Sequence, residues 1–250
     1  MNYLPNGGPS TSSKLITEPA LIVYASNVLE EVIPENKKGK ALLYFTHSHE
    51  AFEPITKAKN GKIMVSHQSE NIMKIGEKLK AQLVFNGVET DVLPIDNARE
   101  MSKNGVLFSR AYKAIRPHIE KRIKEVKYDL IIDLHRDSIG PDRTTIVQGG
   151  EKYAKVAFVI GTEHPNFTRN EAMAKHLKNE MELLVPGITR SLIKKGGHGV
   201  DGKYNQDLHS SLILVELGGI GNSEDELNRT VAVIAKAAAS VLENPARVEN

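Results

Sequence analysis

Three short apolar runs, each ending in residues that carry chemistry, constrain this chain most. Ala41-Leu42-Leu43-Tyr44-Phe45 leads into Thr46-His47-Ser48-His49-Glu50, Leu130-Ile131-Ile132 into Asp133-Leu134-His135-Arg136-Asp137, and Leu212-Ile213-Leu214-Val215 into Glu216. A short continuous apolar run suits a strand buried on both faces, and such strands belong to parallel sheets whose crossovers are helices. The stretches between them supply those crossovers: apolar residues recur at helical spacing over 71–80, 109–126, 170–184 and 228–242, with further strands expected at 89–94, 153–161 and 188–193. Alternating strands and helices predict an α/β domain with a central mixed, mostly parallel sheet flanked by helices.

A chain of 250 residues closes one hydrophobic core without needing a second domain. Residues 1–39 mix Pro, Gly, Ser and Thr and read as a flexible lead-in with a short helix near 21–32; residues 40–250 form the catalytic domain. Lys and Arg number 33 against 31 Asp and Glu, so no global field draws the chain to nucleic acid or to an anionic membrane. No apolar segment approaches the roughly 20 residues that cross a bilayer, and the first residues lack the apolar core of a signal peptide, so the chain as given reads as soluble. It contains no cysteine. Any metal must therefore be held by His, Asp or Glu.

In open sheets of this kind ligands collect at the carboxyl ends of the strands, where all three polar segments are expected. His47 and Glu50, three residues apart, can face one ion from a tight turn, and His135 completes a two-histidine, one-carboxylate set for Zn2+. Three protein ligands leave the metal Lewis-acidic and lower the pKa of a bound water toward about 7. Glu216 follows four apolar residues and precedes a Gly pair; a carboxylate buried there needs a partner, either a cation or a metal-activated water for which it acts as general base. Asp133 and Asp137 can each accept the free N–H of a ligand histidine, cap a helix or pair with Arg136. Arg136 either polarises the scissile carbonyl, holds a substrate carboxylate or serves as a structural partner. His164 in Gly161-Thr162-Glu163-His164-Pro165-Asn166, and Asn205, Gln206 and His209 in Tyr204-Asn205-Gln206-Asp207-Leu208-His209, could line a cleft for an amide- and hydroxyl-rich substrate. His49 points away from His47 on an alternating strand. His67, His118, His176 and His198 lack comparable company, with His67 nearest to a ligand role. The residues alone thus predict a zinc amidohydrolase.

The same motifs, in the same order from about residue 40 to 243, resemble the stage II sporulation protein P family. The match runs through Leu43-Tyr44-Phe45-Thr46-His47-Ser48-His49-Glu50, residues 71–76, Ser109-Arg110, Ile132-Asp133-Leu134-His135-Arg136-Asp137, Gly161-Thr162-Glu163-His164-Pro165-Asn166, Tyr204-Asn205-Gln206-Asp207-Leu208, and Leu214-Val215-Glu216-Leu217-Gly218 with Asn222. The resemblance implies a zinc-dependent N-acetylmuramoyl-L-alanine amidase with endopeptidase activity, cutting peptidoglycan outside the cytoplasmic membrane at the forespore septum during engulfment, and working with stage II sporulation protein D. It implies a fold like that of zinc amidases and carboxypeptidases of the phosphorylase/hydrolase type. His47 and His135 correspond to the family's metal histidines, Glu50 to the nearby acid, with His67 or Glu70 as alternative third ligands, and Glu216 to the late glutamate. The family's membrane anchor is absent from this chain. A metallocarboxypeptidase-like peptidase and a non-catalytic wall-binding module are the rival readings.

Overall fold

Period-two burial along the strands decides which side chains meet. In the computed structural model, which describes residues 37–244, six strands form one sheet in the order β2 (Val88–Val92), β1 (Gly39–Tyr44), β3 (Leu130–Asp137), β8 (Leu212–Gly219), β6 (Val156–Gly161) and β7 (Thr189–Lys195). Strands β2, β1, β3 and β8 are parallel; β6 runs antiparallel to β8 and parallel to β7. This is the mixed, mostly parallel sheet expected from the sequence. The helix expected near 21–32 lies outside the described residues.

Alternate strand residues serve opposite faces. Ala41, Leu43, Ile132, Leu134, Ile213 and Val215 pack under α2 (Ile72–Phe85), α6 (Phe167–Leu184) and α7 (Glu224–Glu243). Leu42, Tyr44, Ile131 and Leu212 pack instead against Ile115 and Ile119 of α4 (Ala111–Glu125). By the same alternation Asp133, His135 and Glu216 belong to the α4 face. Each fully buried Leu or Ile in these layers contributes about 1.5–3 kcal/mol through burial. The helix starts are well marked: Asn71 accepts from the Met73 N–H at 3.0 Å, and Ser223 and Glu226 form a reciprocal capping box on α7.

The structure departs from the expected elements in three places. The strand expected over 153–161 is two strands: β5 (Glu151–Ala154) forms a hairpin with β4 (Thr145–Gln148), and β6 starts afresh at Val156. At Lys155 the chain changes partner: its N–H bonds the Thr144 carbonyl at 2.6 Å, one step on in the β4–β5 register, while its carbonyl accepts from the Gly218 N–H at 3.0 Å, one step on in the β6–β8 register. Three short helices, α1 (Glu53–Asn60), α3 (Asn97–Lys103) and α5 (Pro141–Thr144), are too brief to show a periodicity. Finally, β3 and β8 run on past their apolar cores because they keep pairing with each other through a register shift between His135 and Asp137. His135 and Glu216 consequently stand within strands, on a sheet face, rather than in the loops beyond the strand ends.

Gly76 shows how tightly the α2 layer is set, since a Cβ there would overlap the Phe45 ring at the end of β1. A Gly to Ala change inside a helix ordinarily gains about 1 kcal/mol. Here we expect Gly76→Ala to lower the urea midpoint, with a net cost of about 1–3 kcal/mol from overpacking; an unfolding curve that shifts upward would contradict this packing.

Candidate metal centre

The turn after β1 is shaped by two aspartates. Asp133, fully buried on β3, accepts from the Thr46 N–H at 3.0 Å and the Thr46 hydroxyl at 2.7 Å. Asp96, the N-cap of α3, accepts from the Ser48 hydroxyl at 2.8 Å and the Arg99 N–H at 3.1 Å, and lies 2.9 Å from His49 Nε2. Asn97 donates to the Thr46 carbonyl at 2.9 Å and the Ala111 carbonyl at 3.1 Å, tying the turn to α4. With Thr46, Ser48 and His49 engaged in this way, His47 and Glu50 are left to face each other, and the Glu50 N–H closes the turn on the His47 carbonyl at 3.0 Å.

Among the described residues His47, Glu50 and His135 form a group whose ligand atoms all lie within 4.8 Å of one another. Glu50 straddles the two imidazoles: Oε1 is 3.2 Å from His47 Nδ1 and Oε2 is 3.6 Å from His135 Nδ1. Its Oε2 also accepts the Arg136 backbone N–H at 2.8 Å. The two imidazole rings meet edge-on with centroids 4.8 Å apart. Donors about 2.0–2.2 Å from a tetrahedral ion sit roughly 3.3–3.6 Å from one another; the two carboxylate–imidazole distances match that spacing, and the group as a whole, within 4.8 Å, would draw in slightly around an ion. On its far side His135 Nε2 lies 3.0 Å from Asp133 Oδ1, out of line for a good hydrogen bond but close enough for the carboxylate to orient the ring.

Charge separates the carboxylates into distinct roles. Burial would raise the Glu50 pKa, but hydrogen bonding and attraction to His135 and His47 hold it down at about 2. Burial likewise pulls His135 down, and the Asp133 and Glu50 carboxylates overcome it, raising the imidazole well above its ordinary value. Glu216, paired in register with His135 across β3 and β8, is the reverse case. Desolvation pushes its carboxyl up to about 7, against the pull of His135 and with the repulsion of Glu50 and Asp137. Its Oε2 is buried without a hydrogen-bond partner among the described residues.

Three aromatic rings complete the surroundings, Tyr204 from the Tyr204–Leu208 motif, and Phe108 and Tyr112, which the sequence reading left unmarked. Phe108 stacks on His47 with centroids 4.5 Å apart, and Tyr112 meets His47 edge-on at 5.6 Å and lies over His135 at 6.2 Å. Tyr204, at a positive φ of 53°, packs edge-on against Tyr112 at 5.0 Å. Burial and the carboxylates of Asp133, Glu216 and Glu50 raise the Tyr112 phenol well above its usual range. Phe108 directly precedes the Ser109-Arg110 motif and Tyr112 follows it at the start of α4, positions that no metal-ligand spacing marks.

The other expected site residues are placed differently. The Arg136 guanidinium donates to the carbonyls of Val65 at 2.9 Å and Asp137 at 3.1 Å. Asp137 pairs with Arg190 and accepts from the Ile139 N–H. Asn205 bonds the Tyr112 carbonyl and Arg116, while Gln206 spans the Gly161 N–H at 3.0 Å and the Val159 carbonyl at 2.7 Å. Both amides thereby fasten their loop to α4 and β6. His209 Nδ1 accepts from the Ser211 N–H at 3.2 Å, and burial lowers its pKa. His164 is buried with both ring nitrogens unpartnered among the described residues, beside Phe167. His67 Nδ1 accepts the N–H groups of Ser69 and Glu70, and Glu70 pairs with Lys74, so neither joins the His47 cluster.

Comparison with known proteins now identifies the lineage. The model of the family described as "Stage II sporulation protein P (SpoIIP)" matches residues 11–239. The chain belongs to this family. Stage II sporulation protein P of Bacillus subtilis (strain 168) is 34% identical over 207 residues, which are 82% of this chain and 50% of that protein, so the chain spans about half the length of the curated relative it matches. Among solved structures, the CwlD amidase from Clostridioides difficile, determined in complex with the GerS lipoprotein, is similar at a TM-score of 0.50 and 13% identity, covering 82% of this chain and 94% of that one. A mutant murine aminoacylase 3 is similar at a TM-score of 0.45 and 11% identity, covering 84% of this chain and 66% of that one. The likeness to CwlD is one of fold.

Asp133 generates a prediction. We expect Asp133→Asn to weaken zinc binding about 10- to 100-fold, as loss of a carboxylate behind a ligand histidine does. It should also lower stability, because one amide cannot accept from both Thr46 donors with both of its heavy atoms. Competition against a chromophoric chelator and a denaturant titration read the two effects separately.

Proposed function

We propose that this domain is a zinc-dependent N-acetylmuramoyl-L-alanine amidase that cuts peptidoglycan during sporulation. One observation carries the reading: three zinc-type donors converge beside Glu216, a half-buried glutamate whose Oε2 is buried without a hydrogen-bond partner among the described residues. Membership of the stage II sporulation protein P family supports the setting. The fold likeness to an amidase is consistent with the chemistry.

His47, Glu50 and His135 would hold the metal. When bound, it supplies Lewis acidity toward the scissile carbonyl and lowers the pKa of water toward about 7. Glu216 is suited to act as general base and then general acid, because its carboxyl has no competing hydrogen bond at Oε2 and is held near neutrality, where a proton is taken and returned with least penalty. In this role it accepts the proton of the attacking water and delivers it to the departing amine of L-alanine. Asp133 keeps the His135 ring oriented, and the Arg136 N–H keeps Glu50 in place. Arg136 contributes through its backbone and the loop it clamps, since its guanidinium is committed to carbonyls. Tyr112, Phe108 and Tyr204 wall one side of the centre and reduce the water around it. We infer from family membership that the domain acts outside the cytoplasmic membrane with stage II sporulation protein D as its partner. Among the described residues no helix is long and apolar enough to cross a membrane.

Metal analysis and product analysis on purified sacculi test this directly. The protein should bind one zinc per chain and release N-terminal L-alanine amines, and treatment with a strong chelator followed by zinc should abolish and restore release. Glu216→Gln should retain zinc and sacculus binding while losing about 10²- to 10⁴-fold in rate. Equal amine release by both proteins would overturn the assignment of Glu216, and release of C-terminal amino acids without muramoyl cleavage would favour a carboxypeptidase.

A further inference from the structure

The rim of the metal centre formed by the loop between α3 and α4 is built to hold something that the site residues do not explain. Leu107 and Phe108 are 69% and 67% exposed, although each is large and apolar. Phe108 gives one ring face to His47 and leaves much of its surface to solvent. Immediately beside it lies an open cavity of about 410 Å³ lined by Gly105, Val106, Leu107, Arg110, Lys113 and Ala114, within the range for a small ligand or one or two residues of a chain. Both cations of that lining are exposed, and neither side chain has an acidic partner among the described residues. They contrast with Arg116 one turn further along α4, which is locked bidentate to Asp207 at 2.8 and 3.0 Å and to Glu120 at 2.8 Å. Arg110 is also the N-cap of α4, where the free N–H groups of the first turn add positive partial charge to the same place.

We propose that this cavity is a subsite for a carboxylate-bearing peptide, with Val106 and Leu107 as its apolar lining and Arg110 and Lys113 as its carboxylate clamp. This rests on the amidase reading, in which the peptide side of the scissile amide extends away from the metal centre. Tyr112 connects the two regions: it sits between Arg110 and Lys113 in sequence and touches both His47 and His135 through its ring. The cavity's Leu107 is joined directly to Phe108, whose ring stacks on His47 with centroids 4.5 Å apart, so a peptide held at Arg110 and Lys113 lies on the Phe108 side of the metal centre. Charge complementarity selects the occupant, because two unpaired cations at a helix start favour a carboxylate and disfavour its neutral amide.

Two soluble muropeptides, identical except that the free peptide carboxylates of one are carboxamides in the other, test the clamp. The unmodified protein should prefer the acidic substrate by about tenfold in kcat/KM, expressed chiefly in KM. Arg110→Gln combined with Lys113→Gln should bring that ratio close to one, with an unchanged unfolding midpoint, whereas Lys103→Gln on α3 should keep it. An unaltered ratio in the double variant, or no preference in the unmodified protein, would overturn the subsite while leaving the amidase reading intact. Should no protein cleave either muropeptide, the amidase reading fails instead, and calorimetric binding of the same pair decides the subsite: tighter binding of the acidic form that vanishes in the double variant supports it, and equal binding refutes it.

Discussion

The rest of the site depends on a carboxylate that has no Lys or Arg beside it. Asp133 is fully buried in the middle of the sheet, yet its charge is met by the Thr46 N–H and hydroxyl and by the nearby His135 ring. Removing a buried charge from water costs several kcal/mol, so the position is tolerable only while these donors are in place. That requirement fixes the path of the chain after β1, because Thr46 must sit over β3 for both of its donors to reach. Once Thr46 is held, the turn that follows has to bring His47 and Glu50 to His135.

This arrangement concentrates negative charge. Glu50, Asp133 and Glu216 surround two imidazoles on one face, and Asp137 is close enough to repel Glu216. The environment drives the carboxyls apart, to about 2 for Glu50 between its histidines and about 7 for Glu216, which has none of those hydrogen bonds. Divergent environments of this sort separate a ligand from a proton carrier among chemically similar groups. The excess acid around paired imidazoles is also what a divalent cation would neutralise.

Much of this was legible in the sequence for identifiable reasons. The uninterrupted apolar runs of β1, β3 and β8 marked strands buried on both faces, and the residues ending them, His47, Glu50, His135 and Glu216, are the ones the fold brings together. What escaped was whatever depends on pairing between distant segments. The extension of β3 to Asp137 and β8 to Gly219 comes from their mutual ladder, and the change of partner at Lys155 comes from its carbonyl taking up the Gly218 N–H of β8; neither leaves a local pattern. Asn205 and Gln206 carry amides that suit a ligand as well as they suit a carbonyl, and composition cannot tell which. Their partners, Tyr112, Val159 and Gly161, lie 45 or more residues away, for Gln206 and Gly161 by the spacing of one long connection.

The loop that Asn205 and Gln206 fasten explains why the aromatic wall is where it is. Tyr204 takes a left-handed backbone conformation that costs a non-glycine residue about 1 kcal/mol or more. The cost is offset locally, since Asp201 accepts the Tyr204 N–H, Asn205 bonds the Tyr112 carbonyl, and Arg116 grips both Asn205 and Asp207. The first of those contacts closes the 201–208 loop on itself, and the others join it to α4. The start of α4 is thereby held against the sheet face from two sides, by this loop and by Asn97 on the Ala111 carbonyl. Tyr112 and Phe108 then stand beside the histidines held through their backbones, with no side-chain hydrogen bond of their own among the described residues.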